Sequence, residues 1–256
     1  MAVSLIRTIR DLQRRRARER RGQALIEGVR LVEEALAAGL PMAGAVVAPG
    51  LESTSRGQAL QRRLRETAVP LEQVSDADLA RLADTDQPQG VVAVVDPPVW
   101  SLTQLPVGSA GVVLVLDGVQ DPGNVGALAR TALGLGAVGL LALPGTADLL
   151  NPKVLRGSMG ALFRLPALAV ELEELYRWSA DAGVALWVTG PDGTPVSGVV
   201  RQGPVAVVVG NEGSGVRPEL AARATRSVSV PLRGGVESLN VAVAAGIILH
   251  EVLRAH

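Results

Sequence analysis

The chain has 256 residues, nearly half of them apolar and a fifth charged, with equal numbers of acidic and basic side chains and no cysteine. That length allows one large domain or two modest ones around a proper hydrophobic core, and the composition is that of a folded globular protein. Disulfides, zinc–thiolate sites and cysteine nucleophiles are excluded, and no apolar run approaches the roughly 18 residues that would suggest a membrane span.

Residues 3–20 are predicted as a basic helix, followed by a short strand over 22–26. Residues 27–38 carry apolar side chains at Val29, Val32, Ala35 and Leu36, which is helical spacing, and Gly39 ends the helix. A strand over 43–48 closes on Pro49-Gly50, a charged helix covers 56–66, a helix over 76–82 has Ser75 as its N-cap, and 90–95 is a strand. Pro97-Pro98 opens a Pro-, Gly- and Ser-rich stretch that reads as a linker. The predicted domains are therefore 1–97 with a basic arm at 7–21, a linker over 98–110, and a second domain over 111–256. Beyond 111 strands and helices alternate. Strands are predicted at 112–116, 138–143, 163–168, 184–188, 205–209 and 227–231, with helices at 124–135, 151–159, 171–181 and 238–253. The central strands are continuous apolar runs, as in a parallel sheet buried on both faces, so the fold class is α/β.

Net charge is zero, but its distribution is uneven. Arg7, Arg10, Arg14, Arg15, Arg16, Arg18, Arg20 and Arg21 face only Asp11 and Glu19 within residues 7–21. Such a local excess suits phosphates, against the plainer reading of a solvated helix face or a disordered tail. The N-terminal arginines have no apolar segment behind them, so no secretory signal is read there, and a cytoplasmic protein is expected.

Three segments carry candidate chemistry. In the first, Leu116-Asp117-Gly118 runs through Asp121-Pro122-Gly123-Asn124 to Arg130, a strand turning into a helix at the kind of edge where open α/β sheets bind ligands. Asn124 stands where an N-cap is expected, and Arg130 lies about 120° away around the helix. In the second, a buried strand ends in Gly210-Asn211-Glu212-Gly213-Ser214-Gly215, a loop that lets backbone approach a ligand and carries one carboxylate. In the third, Val230-Pro231-Leu232 and Gly234-Gly235 lead to Glu237-Ser238-Leu239-Asn240 at the start of an apolar helix. Capping by Ser238 with Asn240 incidental is the plain alternative there. Gly134-Leu135-Gly136-Ala137-Val138-Gly139 matches a dinucleotide fingerprint, but it follows a helix and opens a strand, so it reads as a helix C-cap. His250 and His256 lie far from these loops, and no metal-ligand spacing is present.

These three segments, in this order, resemble the signature motifs of the SpoU/TrmH family of the SPOUT superfamily of RNA methyltransferases, over about residues 112–255. The stretches Ala24-Leu25-Ile26-Glu27-Gly28-Val29-Arg30 and Pro88-Gln89-Gly90-Val91-Val92-Ala93 resemble the substrate-binding domain, of ribosomal-protein-like fold, found in many members. The resemblance implies a knotted parallel-sheet domain, a trefoil knot that would be an exception to the general absence of knots. It also implies a homodimer, S-adenosylmethionine as cofactor, and methylation of a ribose 2′-hydroxyl without a metal. It places cofactor contacts at Thr189, Gly190, Gly210, Asn211, Gly213, Val230, Leu232 and Leu239, and the catalytic and RNA-contacting set at Asn124, Arg130, Glu212, Ser238 and Asn240.

A guanidinium has no acceptor lone pair, so Arg130 is expected to hold a phosphate and stabilise developing alkoxide charge rather than act as a base. Aromatic residues are only Trp100, Phe163, Tyr176, Trp178 and Trp187, so shape and phosphate recognition, with strong salt dependence, is expected over base stacking. Ribosomal RNA is the first expected substrate and transfer RNA the second. A non-catalytic RNA-binding or ribosome-assembly factor of the same fold competes, as does a nicotinamide oxidoreductase, which the misplaced glycine pattern disfavours.

Overall fold

In a computed structural model, which describes residues 4–67 and 69–254, contacts divide the chain into two compact units. One runs through Val99 and also takes in Leu150–Phe163; the other comprises Trp100–Leu149 and the chain from Arg164 onward.

The first unit contains α1 (Leu5–Leu12), α2 (Arg15–Arg21), β1 (Ala24–Glu27), α3 (Val29–Ala37), β2 (Met42–Val47), α4 (Ser55–Glu66), β3 (Leu71–Gln73), α5 (Asp76–Ala80) and β4 (Val91–Val95). Its sheet runs β1-β4-β2-β3, with β4 antiparallel to both neighbours and β2 parallel to β3. Ile9 and Leu12 of α1 pack with Leu25, Val46, Val92 and Val94 from the sheet. The predicted single basic helix is two helices, broken at Gln13 and Arg14. The break has a physical cause, because buried Arg18 donates to the carbonyls of Leu12 (2.8 Å) and Gln13 (2.9 Å) at the end of α1. Ser75 caps α5 as expected, accepting from the Asp78 N–H at 3.1 Å.

The second unit contains β5 (Val112–Asp117), α6 (Pro122–Leu135) and β6 (Gly139–Ala142). Beyond α7 (Pro152–Ser158), which belongs to the first unit, come β7 (Ala167–Ala169), α8 (Leu172–Asp181), β8 (Ala185–Pro195), β9 (Val205–Gly210), α9 (Pro218–Arg223), β10 (Arg226–Ser229) and α10 (Val241–Arg254). The sheet runs β10-β8-β9-β5-β6-β7 and is parallel throughout. Every residue of β5 and β9 is buried, as their unbroken apolar sequences require. Strand order reverses at β5, so the crevice beyond the carboxyl ends of β5 and β9 is a topological switch point. The glycine pattern at 134–139 is a helix end, as expected: Gly136 caps α6 in the left-handed region at φ 93°.

The stretch read as a linker is only partly one. Leu102–Gln104 forms a 3₁₀ turn and Leu105 is buried in the second unit's core beside Leu186 and Val208. The strand expected at 163–168 shrinks to Ala167–Ala169, because Ala161–Phe163 coils into a buried 3₁₀ turn instead. No helix among the described residues is long and apolar enough to cross a membrane.

Arg201 locks the far end of this unit. It is 5 % exposed, and it donates to the Val252 carbonyl in the last turn of α10 (2.9 Å) and to the Ala110 carbonyl just before β5 (2.6 Å). Burial pushes its guanidinium pKa down, and the carbonyls of the helix C-terminus compensate part of that cost. Arg201→Ala strands these carbonyls and is expected to lower stability by about 2–3 kcal/mol, read from the midpoint of urea unfolding.

Candidate active site

Four backbone segments meet at the carboxyl edge of the six-stranded sheet. The first follows β5. Gly118 turns the chain at φ 72°, and Asp121 caps α6, its Oδ1 accepting from the Asn124 N–H at 2.8 Å with Pro122 in the first turn. The expected N-cap, Asn124, is therefore corrected. Proline lacks an N–H and suits the first helical position, so the cap falls on the residue before it. Asn124 is left free to bond elsewhere. Its Nδ2 donates to Glu212 Oε1 at 2.9 Å, and its Oδ1 accepts from Asn240 Nδ2 at 2.9 Å.

The second segment follows β9. Gly210 cannot be replaced, since a Cβ there would lie 2.1 Å from the Gly215 carbonyl carbon and 2.2 Å from the Val216 nitrogen. The Asn211 side chain is used within the protein. Its Nδ2 donates to the Gly118 carbonyl at 2.8 Å, and its Oδ1 accepts from the N–H groups of Gly213 (2.9 Å) and Ser214 (3.1 Å). The third segment follows β10. The helix predicted from 238 begins only at Val241, because Asn240, not Ser238, caps it: its Oδ1 accepts from the Ala242 N–H at 2.9 Å. Asn240 is thus bound to the helix through one atom and to Asn124 through the other. Ser238 is exposed and makes no side-chain hydrogen bond among the described residues.

The fourth segment interrupts β8. Val188 pairs with Ser227 and Thr194 with Val228, so 189–193 bulge out of the strand. Gly193 permits this, since a Cβ there would meet the Val228 carbonyl carbon at 2.5 Å. Ser229 ties the bulge down by donating to the Gly193 carbonyl at 2.7 Å.

The last three of these segments wall a cavity of about 670 Å³ whose lining includes all eight predicted cofactor residues, Thr189, Gly190, Gly210, Asn211, Gly213, Val230, Leu232 and Leu239, together with Glu212, Ser238 and Asn240. Asn124 adjoins it through its bonds to Glu212 and Asn240. Arg130 is not part of the wall. It is exposed on α6 and forms no hydrogen bond or ion pair among the described residues. The walls combine apolar Val209, Leu239 and Ile248 with backbone amides and carbonyls, and their charged members are both acidic, Glu212 and Glu237. That donor set fits a nucleoside with a cationic tail, and the volume lies within the usual range for small-ligand sites. No group of three or more metal-ligating side chains occurs among the described residues. Asp121 was missed by sequence reasoning, although an Asp-Pro before a helical pattern signals its cap. Ile248, buried in α10, had no sequence signal, because only the fold brings it to the cavity wall.

The parallel α/β sheet with a ligand-sized cavity beyond the carboxyl ends of β8, β9 and β10 defines a small-ligand-binding α/β protein. The profile of the SpoU rRNA methylase family matches residues 111–250, and that of the MRM3-like substrate-binding domain matches residues 4–93. The chain is 35 % identical over 253 residues to an uncharacterized tRNA/rRNA methyltransferase of Synechocystis, covering 98 % of this chain and 90 % of the relative. It is 32 % identical over 246 residues to the Bacillus subtilis 23S rRNA (guanosine(2553)-2′-O)-methyltransferase RlmP, covering 95 % and 93 %. The crystal structure of the SpoU methyltransferase AviRb from Streptomyces viridochromogenes in complex with AdoMet matches with a TM-score of 0.86 at 30 % identity, over 99 % of this chain and 98 % of that one. The AdoMet-bound rRNA methyltransferase from Sinorhizobium meliloti matches with a TM-score of 0.85 at 28 % identity, over 99 % and 97 %. The chain belongs to the SpoU rRNA methylase family and is an RNA methyltransferase.

The corrected cap gives a test. Asp121→Ala is expected to cost about 1 kcal/mol of stability through loss of the α6 cap, in chemical denaturation. Asn124→Ala, which removes no cap, leaves stability nearly unchanged.

Proposed function

We propose that the cavity beyond the carboxyl ends of β8, β9 and β10 takes up the cofactor and that the Glu212–Asn124–Asn240 chain at its mouth receives a ribose of ribosomal RNA. The enzyme is an S-adenosylmethionine-dependent RNA methyltransferase that modifies a ribose 2′-hydroxyl. One observation carries this reading: side chains from three separate loops are hydrogen-bonded in series beside a single nucleoside-sized cavity.

When bound there, S-adenosylmethionine supplies an electrophilic methyl group. The chain's own residues prepare the nucleophile. Glu212 Oε1 is occupied by Asn124, which leaves Oε2 to accept a hydrogen bond from a ribose hydroxyl. Asn124 is held at both its amide atoms, so it fixes the carboxylate's position and cannot swing toward solvent. Arg130, unpartnered among the described residues, is available to grip the phosphate next to the target and to offset the charge that develops as the hydroxyl proton passes to a substrate phosphate oxygen or a water molecule. Ser238, exposed at the third loop, is within the same wall and orients the substrate. The apolar wall around Leu239 and Ile248 excludes water from the transfer.

Two architectural features complete the proposal. The chain is knotted at its C-terminal end. The insertion of β9 between β5 and β8, and the return of α10 against α6 and β9, support that reading. The protein works as a homodimer. Exposed Leu232, Val236, Val243 and Ile247 support a covered face near the cavity. The first unit, a ribosomal-protein-like module matching a substrate-binding domain, holds the RNA. Ribosomal RNA is favoured over transfer RNA because a relative matching nearly the whole chain is named a 23S rRNA methyltransferase.

The test is transfer of labelled methyl from S-adenosylmethionine to total RNA lacking the modification, with the mark mapped as an alkali-resistant position. A single 2′-O-methyl mark in ribosomal RNA is expected; a mark in transfer RNA alone overturns the substrate, and no transfer overturns the site. Arg130→Ala is expected to reduce turnover by at least about 10²-fold while cofactor affinity, by calorimetry, stays within about twofold. Equal losses of both would make Arg130 structural.

The arginine arm is proposed to contact RNA phosphates, with its members in unequal roles. Arg18 is buried and structural, Arg15 pairs with Glu19, and Arg20 and Arg21 pair with Asp11, whose carboxyl is held below its ordinary pKa chiefly by the Arg21 hydrogen bond. Arg7, Arg10 and Arg14 are exposed and line one concavity of about 490 Å³ with that cluster, and Arg16 is exposed beside it. Replacing Arg7, Arg10 and Arg14 together by Ala is expected to flatten the salt dependence of RNA binding by about two units of slope. An unaltered slope would remove the arm from the interface.

A further inference from the structure

The loop that walls the cavity between β9 and α9 is pinned at both ends, at its start by the wall residue Asn211 and at its far end from outside the cavity. At its start, Asn211 joins the Gly118 carbonyl to the loop's own N–H groups. At its far end lies Asp117, 3 % exposed, at the carboxyl end of β5. Asp117 Oδ2 accepts the Arg217 N–H at 2.7 Å and its Oδ1 accepts Arg217 Nε at 2.6 Å, while Arg217 Nη2 donates to the Pro144 carbonyl, just past β6, at 2.9 Å. Neither Asp117 nor Arg217 lines the cavity.

The pinned segment contains Gly213 and Gly215 and follows Gly210. The glycines that let backbone approach a ligand also let an untethered loop wander. A loop ordered before the ligand arrives spares binding the cost of ordering it, whereas a loop that is competent only part of the time weakens affinity by that fraction. A buried ion pair contributes little net stability compared with apolar packing, so its main consequence here is geometric. The planar guanidinium is suited to it: it meets the buried carboxylate and the Pro144 carbonyl just past β6 at once, which an ammonium cannot do with the same geometry.

We infer that Arg217, acting through Asp117, is a positioning residue that preorganises the cofactor-binding loop. The inference rests on the reading of the cavity as the S-adenosylmethionine site. The pair fixes the loop against the ends of β5 and β6, and so sets cofactor affinity without touching cofactor, substrate or reacting atoms.

The experiment compares the full-length protein with Arg217→Gln and Arg217→Lys. Three quantities are read: Kd for S-adenosylhomocysteine by calorimetry, the separate KM and kcat for S-adenosylmethionine, and hydrogen exchange at the Gly213 and Ser214 amides. Arg217→Gln is expected to raise Kd and KM about tenfold, to leave kcat at saturation within about twofold, and to speed exchange at both amides. Arg217→Lys, which keeps the charge but loses the fork, falls between the two. A lower melting temperature with Kd and exchange unchanged would make the pair merely structural and overturn the inference. If Arg217→Gln does not fold because Asp117 is left unpaired, the double change Asp117→Asn, Arg217→Gln removes both charges. It must show the same rise in Kd, and an unaltered Kd there is equally fatal. Wild-type protein that binds no S-adenosylhomocysteine overturns the cofactor reading and the inference together. Wild-type binding with an indifferent variant overturns the positioning role alone.

Discussion

The parallel pairing of β5 with β9 is the constraint on which the site depends. Leu116 lies opposite Val209 and Asp117 opposite Gly210, so the two strands end level with each other. Strand order reverses there, and the loops that follow must diverge and leave a crevice. The strands are apolar along almost their whole length because both faces are covered, and polarity returns only at their ends, in Asp117 and in the glycine-rich turn after Val209. A slip of one residue in this register would separate Asn211 from the Gly118 carbonyl and Asp117 from Arg217, and the loops would lose their anchors together.

The polar side chains around the site divide into two groups, with Asn240 serving in both. Asp121, Asn211, Ser229 and the Asp117–Arg217 pair spend their hydrogen-bonding capacity on backbone groups of the loops and fix their shape. Asn124 and Glu212 have bonds to each other, and Asn240 links them to the start of α10. Asn124 and Glu212 are free to bond each other because the first group relieves them of capping and turn-making, whereas Asn240 both caps α10 and reaches Asn124. The α6 N-terminus shows this most clearly. With Asp121 capping and Pro122 needing no acceptor, Asn124 is not drawn back to its own helix.

The first unit shows how a charge cluster in sequence can be partly consumed by folding. Eight arginines stand close together in the chain, yet Arg18 is buried against the carbonyls that end α1, and Asp11 engages Arg20 and Arg21. Ile9, Leu12 and Ala17 are buried as well, which makes this segment an integral part of the core rather than a loose basic tail. The positive field left for a polyanion comes from fewer side chains than the count suggests, and those are held on a folded surface. Ordered cations lose less freedom when they engage phosphates than a disordered tail would.

What the sequence determined by itself is what depends on local order: the α/β alternation, the buried central strands, the three polar segments at strand ends, and the rejection of the glycine pattern at 134–139 as a cofactor motif. These follow from hydrophobic periodicity and turn chemistry, which act over a few residues. Cap positions lay at the edge of that range. The cap of α6 belonged to Asp121 and that of α10 to Asn240, each decided by which side chain the neighbouring backbone could reach. Only the tertiary structure decided that Asn124 meets Glu212, 88 positions away, and Asn240, 116 positions away, and that Arg217 closes on Asp117 across 100 positions. It also decided that residues 189–193 leave β8 to wall the cavity. Such contacts depend on strand order and register in the assembled sheet, and no periodicity within a single segment encodes which distant loop will lie beside it.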